Sequence, residues 1–92
     1  MQNQLKSVKI FHEVFGIKIS NKPTIELPKD ILKLRHSLMV EENNEYLKAV
    51  EERNLIEVAD ALGDMLYILC GTILTHGFQN LIEDIFDEIQ SS

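Results

Sequence analysis

The sequence predicts an all-α protein, an antiparallel helical bundle of about four helices that is completed by homo-oligomerisation. Apolar residues recur at helical spacing in successive segments, and no segment shows the alternation typical of a β-strand. Glycine, proline or polar breaks separate these segments. The chain has 92 residues, and a domain of this length buries a smaller fraction of its surface than a longer one does. Burial against further copies would stabilise it, so we expect a homodimer or homotetramer.

Two helices are predicted in the N-terminal half. The first runs from Gln4 to Phe15, and Gly16 is a natural stop. A linker from Ile17 to Pro28 follows, in which each proline pushes the residue before it toward extended geometry. Pro28 suits the first turn of the second helix, which then runs without a breaker to Val50.

Two further helices are predicted in the C-terminal half. Glu51 to Asn54 is a polar break, and Asn54 can cap the N-terminus of the third helix. That helix ends at Gly77. Gln79 to Ile89 is expected to form a short fourth helix with one apolar face and one acidic face. Together the helices are expected to form a single domain over residues 1–92.

Composition excludes several classes of protein. The net charge of -6, from 15 acidic and nine basic residues, argues against nucleic acid as a partner, because such binding needs clustered Lys and Arg. No uninterrupted apolar run is long enough to predict a membrane span. Met1 to Ser7 lacks the pattern of a secretory signal, and the single Cys70 cannot form an internal disulfide. We therefore expect a soluble cytoplasmic protein that binds neither membrane nor nucleic acid.

Two clusters of acidic residues lie on neighbouring predicted helices, each beside an apolar stripe. Residues three, four or seven positions apart share a helix face, so each cluster forms an acidic stripe. The short break between the helices favours antiparallel packing, which would place the two stripes opposite each other. The six residues are Glu41, Glu42 and Glu45 on the second helix, and Glu57, Asp60 and Asp64 on the third.

Two facing stripes of carboxylates predict a metal site, because packing them together without cations is too costly unless they are protonated. Oxygen ligands without Cys or His suit hard cations, so Mg²⁺ is expected, with Mn²⁺ as a substitute. The alternative is a solvated acidic surface, in which Glu57, three residues after Asn54, closes a capping box. That alternative explains Glu57 better than it explains two stripes that both border apolar faces.

These residues resemble the signature of the all-α nucleoside triphosphate pyrophosphohydrolases, the MazG-like and phosphoribosyl-ATP pyrophosphohydrolase-like superfamily. The signature is EExxE on one helix and ExxD on the next. Here the motifs read EENNE at residues 41–45 and EVAD at residues 57–60. The words VADALGDMLYILCGT and VKIFHEVFG, followed by KPT, also resemble small single-domain members. The resemblance covers most of the chain.

The resemblance implies Mg²⁺-dependent hydrolysis of a nucleotide between its α and β phosphates, releasing a monophosphate and pyrophosphate. It also implies the site residues. Glu41 and Glu42 become catalytic residues as well as ligands, with Glu42 as the base for the attacking water. The other ligands carried over by the resemblance are Glu45, Glu57 and Asp60.

Two departures from the family pattern affect these expectations. Many members place paired apolar residues directly after the second motif, as Met65 and Leu66 follow Asp64 here, but the matching first acid would then fall at Ala61. Asp60 and Asp64 share a face, so we expect both to be ligands. Similar proteins also commonly continue with a basic, lysine-containing tail, which this chain, ending at Ser92, is expected to lack.

Three residues near the carboxylates are candidates for substrate binding. Lys48 and Arg53 could hold the phosphates, with a solvated surface role as the alternative for each. Tyr67, one turn beyond Asp64, could line the site or pack in the bundle. The alternative function for the whole chain is a non-catalytic helical protein that binds metal or nucleotide and acts in regulation or dimerisation. Stabilisation by Mg²⁺ separates a plain dimerisation module from an enzyme or binder.

Overall fold

The computed structural model describes all 92 residues, which form four helices and no strand. The all-α class with four helices is therefore confirmed. The chain divides into two compact units, one made of residues 1–25 and 70–92 and the other of residues 26–69. A single domain over residues 1–92 and homo-oligomerisation both stay predictions. The helices are α1 (Gln2–Phe15), α2 (Lys29–Glu51), α3 (Leu55–His76) and α4 (Ile82–Ser91).

The predicted ends of the first three helices agree with the structure to within two residues. Gly16 and Gly77 follow α1 and α3 in the left-handed conformation, with φ of 67° and 79°, which lets each helix end in a tight turn. Pro28 lies just before α2, where its carbonyl oxygen accepts the N–H of Ile31 and of Leu32. The prediction that α2 starts at Pro28 is therefore confirmed, with Pro28 as the N-cap residue.

The predicted start of the fourth helix at Gln79 is wrong. The carbonyl oxygen of Phe78 accepts the N–H of both Leu81 and Ile82, each at 2.9 Å. These bonds form a turn over residues 79–81, so the regular helix begins only at Ile82. The apolar spacing continues through the turn, which is why the pattern alone placed the boundary too early.

Within the unit formed by residues 1–25 and 70–92, α1 packs against the C-terminal part of α3. Its apolar core excludes water and supplies most of the unit's stabilisation. The buried core residues are Leu5, Val8, Cys70, Ile73 and Leu74, with Ile19, Phe78 and Ile82 packed against them.

The segment after α1 is bound to the last turn of α3 rather than being a free linker. The Ser20 N–H donates to the carbonyl oxygen of Leu74 at 3.0 Å, and the Ser20 hydroxyl donates to that of Thr75 at 2.7 Å. The Thr24 N–H donates to the carbonyl oxygen of His76 at 2.9 Å. These bonds satisfy carbonyl groups that the end of a helix otherwise leaves unpaired.

Within the unit formed by residues 26–69, α2 and the first part of α3 form an antiparallel pair, as predicted. At one end the Arg35 guanidinium donates to the carbonyl oxygen of Ile68 at 2.9 Å. At the other end the Asn54 N–H donates to the carbonyl oxygen of Ala49 at 3.0 Å. Ala49 and Ala61 are buried, and their small side chains allow the two helices to approach closely.

α3 is long and apolar enough to cross a membrane by length and composition alone, with a mean hydropathy of 1.4 in its most apolar window. One such helix is weak evidence, because the core helix of a soluble protein passes the same test.

Candidate active site

The turn between α2 and α3 sets the two acidic stripes opposite each other. Arg53 adopts the left-handed conformation with φ of 53°, and its N–H donates to the carbonyl oxygen of Val50 at 3.0 Å. The side-chain oxygen of Asn54 then accepts the N–H of Glu57 at 3.1 Å. α2 therefore ends at Glu51 and α3 begins at Leu55, with only three residues between them. Such a short connection forces the helices to run side by side.

The predicted N-cap at Asn54 is confirmed, but the capping box is only half formed. In a complete box the Glu57 carboxylate would accept the Asn54 N–H. That N–H instead donates to the carbonyl oxygen of Ala49. The Glu57 carboxylate therefore lies outside the cap, among the other acids.

All six acidic residues singled out from the sequence line one cavity of about 230 Å³ in the unit formed by residues 26–69. We call it the acidic cavity. The antiparallel pairing of α2 with α3 brings the two stripes together, and the buried Ala61 contributes the one apolar side chain. Both Asp60 and Asp64 are included, as expected from their shared face. The acids are Glu41, Glu42, Glu45, Glu57, Asp60 and Asp64.

Electrostatic repulsion in the acidic cavity is centred on Glu42. Its side chain is half-buried, whereas the other five acids are exposed. Desolvation raises the pKa of Glu42 above its ordinary value, and the charges of Asp64, Glu41, Glu45 and Asp60 raise it further. The exposure of the other acids keeps the cost of packing them below what the sequence led us to expect. A cation placed among them would relieve the repulsion at Glu42.

The residues of the acidic cavity suit a hard cation in chemistry, but they are not drawn together as a preformed cage. No group of three or more His, Cys, Asp or Glu side chains lies close enough to hold a metal ion. The donors that surround the cavity are carboxylate oxygens, which are the ligands preferred by Mg²⁺ and Mn²⁺.

The three predicted substrate-binding residues lie in different surroundings. Lys48 lines a neighbouring cavity of about 280 Å³ that shares Glu45 and Glu57 with the acidic cavity. Arg53 and Tyr67 line neither of these two cavities. Of the three, Lys48 alone lines a cavity together with acids of the acidic cavity, and the binding roles of all three residues stay predictions.

Replacing Arg53 with glycine separates the backbone role of this residue from a role in substrate binding. The left-handed conformation costs an L-residue roughly 1 to 2 kcal/mol that glycine does not lose. We expect Arg53→Gly to raise the free energy of unfolding by up to about 1 kcal/mol, measured by urea denaturation, because glycine also gains entropy in the unfolded chain. An unchanged KM for nucleotide would show that the guanidinium does not bind substrate, and a raised KM would show that it does.

Arg35 is a buried charged residue that is not among the predicted site residues. Its guanidinium donates to the carbonyl oxygen of Ile68 and so links α2 to α3, and burial lowers its pKa. The available signal was position, since Arg35 lies between Ile31 and Leu38 at helical spacing, where an apolar residue is expected. It lies two turns before Glu42 on the same helix face, so it helps to fix the register of the two acidic stripes.

The protein has four helices and no strand, and the carboxylates of its EExxE and ExxD motifs face one cavity. These features are typical of the class of MazG-like all-α nucleoside triphosphate pyrophosphohydrolases. The phosphoribosyl-ATP pyrophosphohydrolase family model matches residues 8–92, and the chain belongs to this family. The family is part of the MazG-like superfamily, so the resemblance seen in the sequence is confirmed. No curated protein and no solved structure matches the chain. Family membership points to a nucleotide pyrophosphohydrolase, a hydrolase that acts on acid anhydrides.

Proposed function

We propose that the chain hydrolyses the α–β phosphoanhydride of a nucleoside triphosphate, or of a phosphoribosyl-ATP-like nucleotide, in a Mg²⁺-dependent reaction that releases a monophosphate and pyrophosphate. The observation that carries this proposal is the convergence of six carboxylates on one cavity in a member of this family. A polyphosphate is itself anionic, so such a cavity repels it unless cations lie between them. The requirement for a divalent cation follows from this opposition of charge.

The residues of the acidic cavity divide into two roles in this proposal. The exposed carboxylates on α2 and α3 would hold Mg²⁺, or Mn²⁺ in its place. Mg²⁺, when bound, neutralises phosphate oxygens and lowers the pKa of its water ligands. Glu42 lines the cavity and is the only one of the six acids that is half-buried, which suits it to accept a proton from the attacking water. Lys48 lines the neighbouring cavity one turn beyond Glu45 and would contact the departing pyrophosphate.

The proposed activity is tested by pyrophosphate release from a panel of canonical and modified nucleoside triphosphates and phosphoribosyl-ATP. Each substrate is incubated with Mg²⁺, with Mn²⁺ and with EDTA, and melting curves are recorded under the same conditions. Release that requires the metal supports the enzyme. A metal-dependent rise in melting temperature without release from any substrate supports the alternative, a non-catalytic binding protein. No response in either measurement contradicts both.

The Glu45→Gln variant tests whether the carboxylates hold the metal. We expect pyrophosphate release to fall to background at a Mg²⁺ concentration that saturates the parent protein, because a negatively charged ligand is lost. Folding should be intact or improved, because a like-charge interaction is relieved. The matched control is Glu51→Gln, an exposed acid on the same helix that does not line the acidic cavity. Full activity in Glu45→Gln would remove this residue from the metal site.

We also propose that two or more copies assemble. Leu55 and Ile56 at the start of α3 are 83% and 80% exposed, and Phe86 and Ile89 on α4 are 64% and 69% exposed. Apolar side chains exposed in such number usually mark an interface. A homodimer or homotetramer would cover them. Light scattering coupled to size exclusion measures the mass directly, and a monomer at micromolar concentration would contradict this proposal.

A further inference from the structure

We infer that an apolar cavity next to the acidic cavity receives the nucleobase of the substrate, and that it recognises the base by shape and dispersion rather than by a pattern of hydrogen bonds. This inference rests on the proposed function, since it assigns the other end of the same nucleotide. The cavity has a volume of about 400 Å³ and lies in the unit formed by residues 26–69. Its lining residues are Met39, Val40, Glu42, Asn43, Met65, Ile68 and Leu69.

The apolar cavity adjoins the acidic cavity at Glu42, which lines both. On α2, Met39 and Val40 come within one turn before Glu42, and on α3, Met65 comes directly after Asp64. Each helix therefore changes from acidic to apolar residues at the same position along the axis of the antiparallel pair. A nucleotide has the same division, with charged phosphates at one end and a planar, largely apolar base at the other. Two adjoining cavities of opposite character match the two ends of one such molecule.

The lining of the apolar cavity predicts broad acceptance of bases. A volume of about 400 Å³ is within the range of small-molecule sites and exceeds what one base needs. Asn43 supplies the one side-chain amide, and Glu42 is shared with the acidic cavity. Met39 and Met65 have flexible, polarisable side chains that adapt to rings of different outline. Apolar pockets discriminate between ligands that differ by one methylene by roughly 10- to 200-fold, so we expect purine and pyrimidine nucleosides to differ by no more than about 200-fold in affinity.

The methionine methyl groups provide a direct probe of this cavity. The chain has three methionines, of which Met39 and Met65 line the cavity and Met1 does not. Adenosine and cytidine, which carry no phosphate, are titrated into protein labelled with ¹³C at the methionine methyls, in EDTA. We expect the Met39 and Met65 signals to shift with each nucleoside and the Met1 signal to stay in place. Movement of all three signals, or of none, would overturn the inference.

A matched pair of variants tests the same cavity by filling it. Val40 and Val50 lie on α2 and are each 43% exposed, but only Val40 lines the apolar cavity. Added bulk at either position costs little in folding because both side chains reach solvent. We expect Val40→Phe to weaken adenosine binding at least about tenfold, the lower range for steric discrimination by an apolar pocket, and to raise the KM for ATP. Val50→Phe should match the parent protein in both, and equal effects of the two variants would contradict the inference.

The same spectra distinguish this inference from the proposed function. Shifts at Met39 and Met65 in a protein that hydrolyses no nucleotide would support the base subsite and contradict the proposed enzyme. Metal-dependent hydrolysis without any nucleoside-induced shift would support the enzyme and overturn the base subsite. Signals that move on dilution of the protein, but not with nucleoside, would assign the cavity to contact with a second copy and also overturn the inference.

Discussion

Replacing Glu42 with glutamine is expected to lower turnover by roughly 10²- to 10⁴-fold, the usual contribution of a general base. The amide has nearly the same shape as the carboxylate but cannot accept the proton of the attacking water. Pyrophosphate release at saturating Mg²⁺ and nucleotide measures the effect. The Glu51→Gln variant is again the control for loss of a charge from α2. Turnover of Glu42→Gln within a few-fold of the parent protein would contradict the role assigned to Glu42.

The same substitution is expected to stabilise the metal-free protein at neutral pH. The folded-state pKa of Glu42 is raised above its ordinary value of 4.5. Between that value and the raised pKa, the folded state binds more protons than the unfolded state, so the free energy of unfolding falls as pH rises. Above the raised pKa the whole decrease in the free energy of unfolding is present, and below pH 4.5 there is no decrease.

Melting curves in EDTA from about pH 4 to 8 check the sign of this linkage. The melting temperature of Glu42→Gln minus that of the parent protein should be near zero at the acid end. It should then increase with pH and level off above the raised pKa of Glu42. Because the other acids are present in both proteins, the difference reports the charge of Glu42 together with its repulsion by those acids. A difference that shrinks as pH rises would contradict the repulsion described for the acidic cavity.

Replacing Gly77 with alanine is expected to cost roughly 2 to 5 kcal/mol of unfolding free energy, combining left-handed strain with overpacking. Gly77 has φ of 79°, and a Cβ there would lie 3.1 Å from the backbone nitrogen of Pro23 and closer still to the carbonyl group of Lys22. These are backbone atoms, so no rotamer change can relieve the contact. A loss of this size is a large fraction of the stability of a small domain.

Gly63→Ala is the matched control, since it makes the same change within α3. A Cβ at Gly63 meets no atom within 4 Å, and alanine is a better helix former than glycine by about 1 kcal/mol. This variant should therefore be more stable than the parent protein in urea denaturation, whereas Gly77→Ala should be much less stable. Equal stability of the two variants would contradict the path of residues 20–24 along the end of α3.

The helices and the acidic stripes could be predicted from the sequence because both depend on local periodicity. Spacing places Glu41, Glu42 and Glu45 on one face whatever the helix packs against. The polar break before Asn54 was short enough to predict antiparallel packing, and that pairing followed in the structure. The start of α4 could not be predicted, because the turn at Phe78 continues the same apolar spacing as the helix.

Features that depend on contacts distant in sequence could not be predicted. The burial of Arg35 requires the carbonyl group of Ile68, 33 residues away, as its acceptor. The hydrogen bond from the Ser20 hydroxyl to the carbonyl oxygen of Thr75 likewise joins residues 55 positions apart. The apolar cavity is lined by exposed and half-buried residues of two helices. From the apolar pattern of either helix alone, these residues are expected only to pack in the core. Arg53 in the left-handed conformation is a further case, because glycine or asparagine is the usual signal there.

The most direct test of the proposed reaction is the identity of its products, followed by ³¹P NMR during incubation of the protein with nucleotide and Mg²⁺. With ATP we expect AMP and pyrophosphate to appear in equal amounts, and EDTA to stop their formation. Phosphoribosyl-ATP should likewise give phosphoribosyl-AMP and pyrophosphate. Formation of ADP and orthophosphate, or equal product formation with and without EDTA, would contradict metal-dependent cleavage between the α and β phosphates at the acidic cavity.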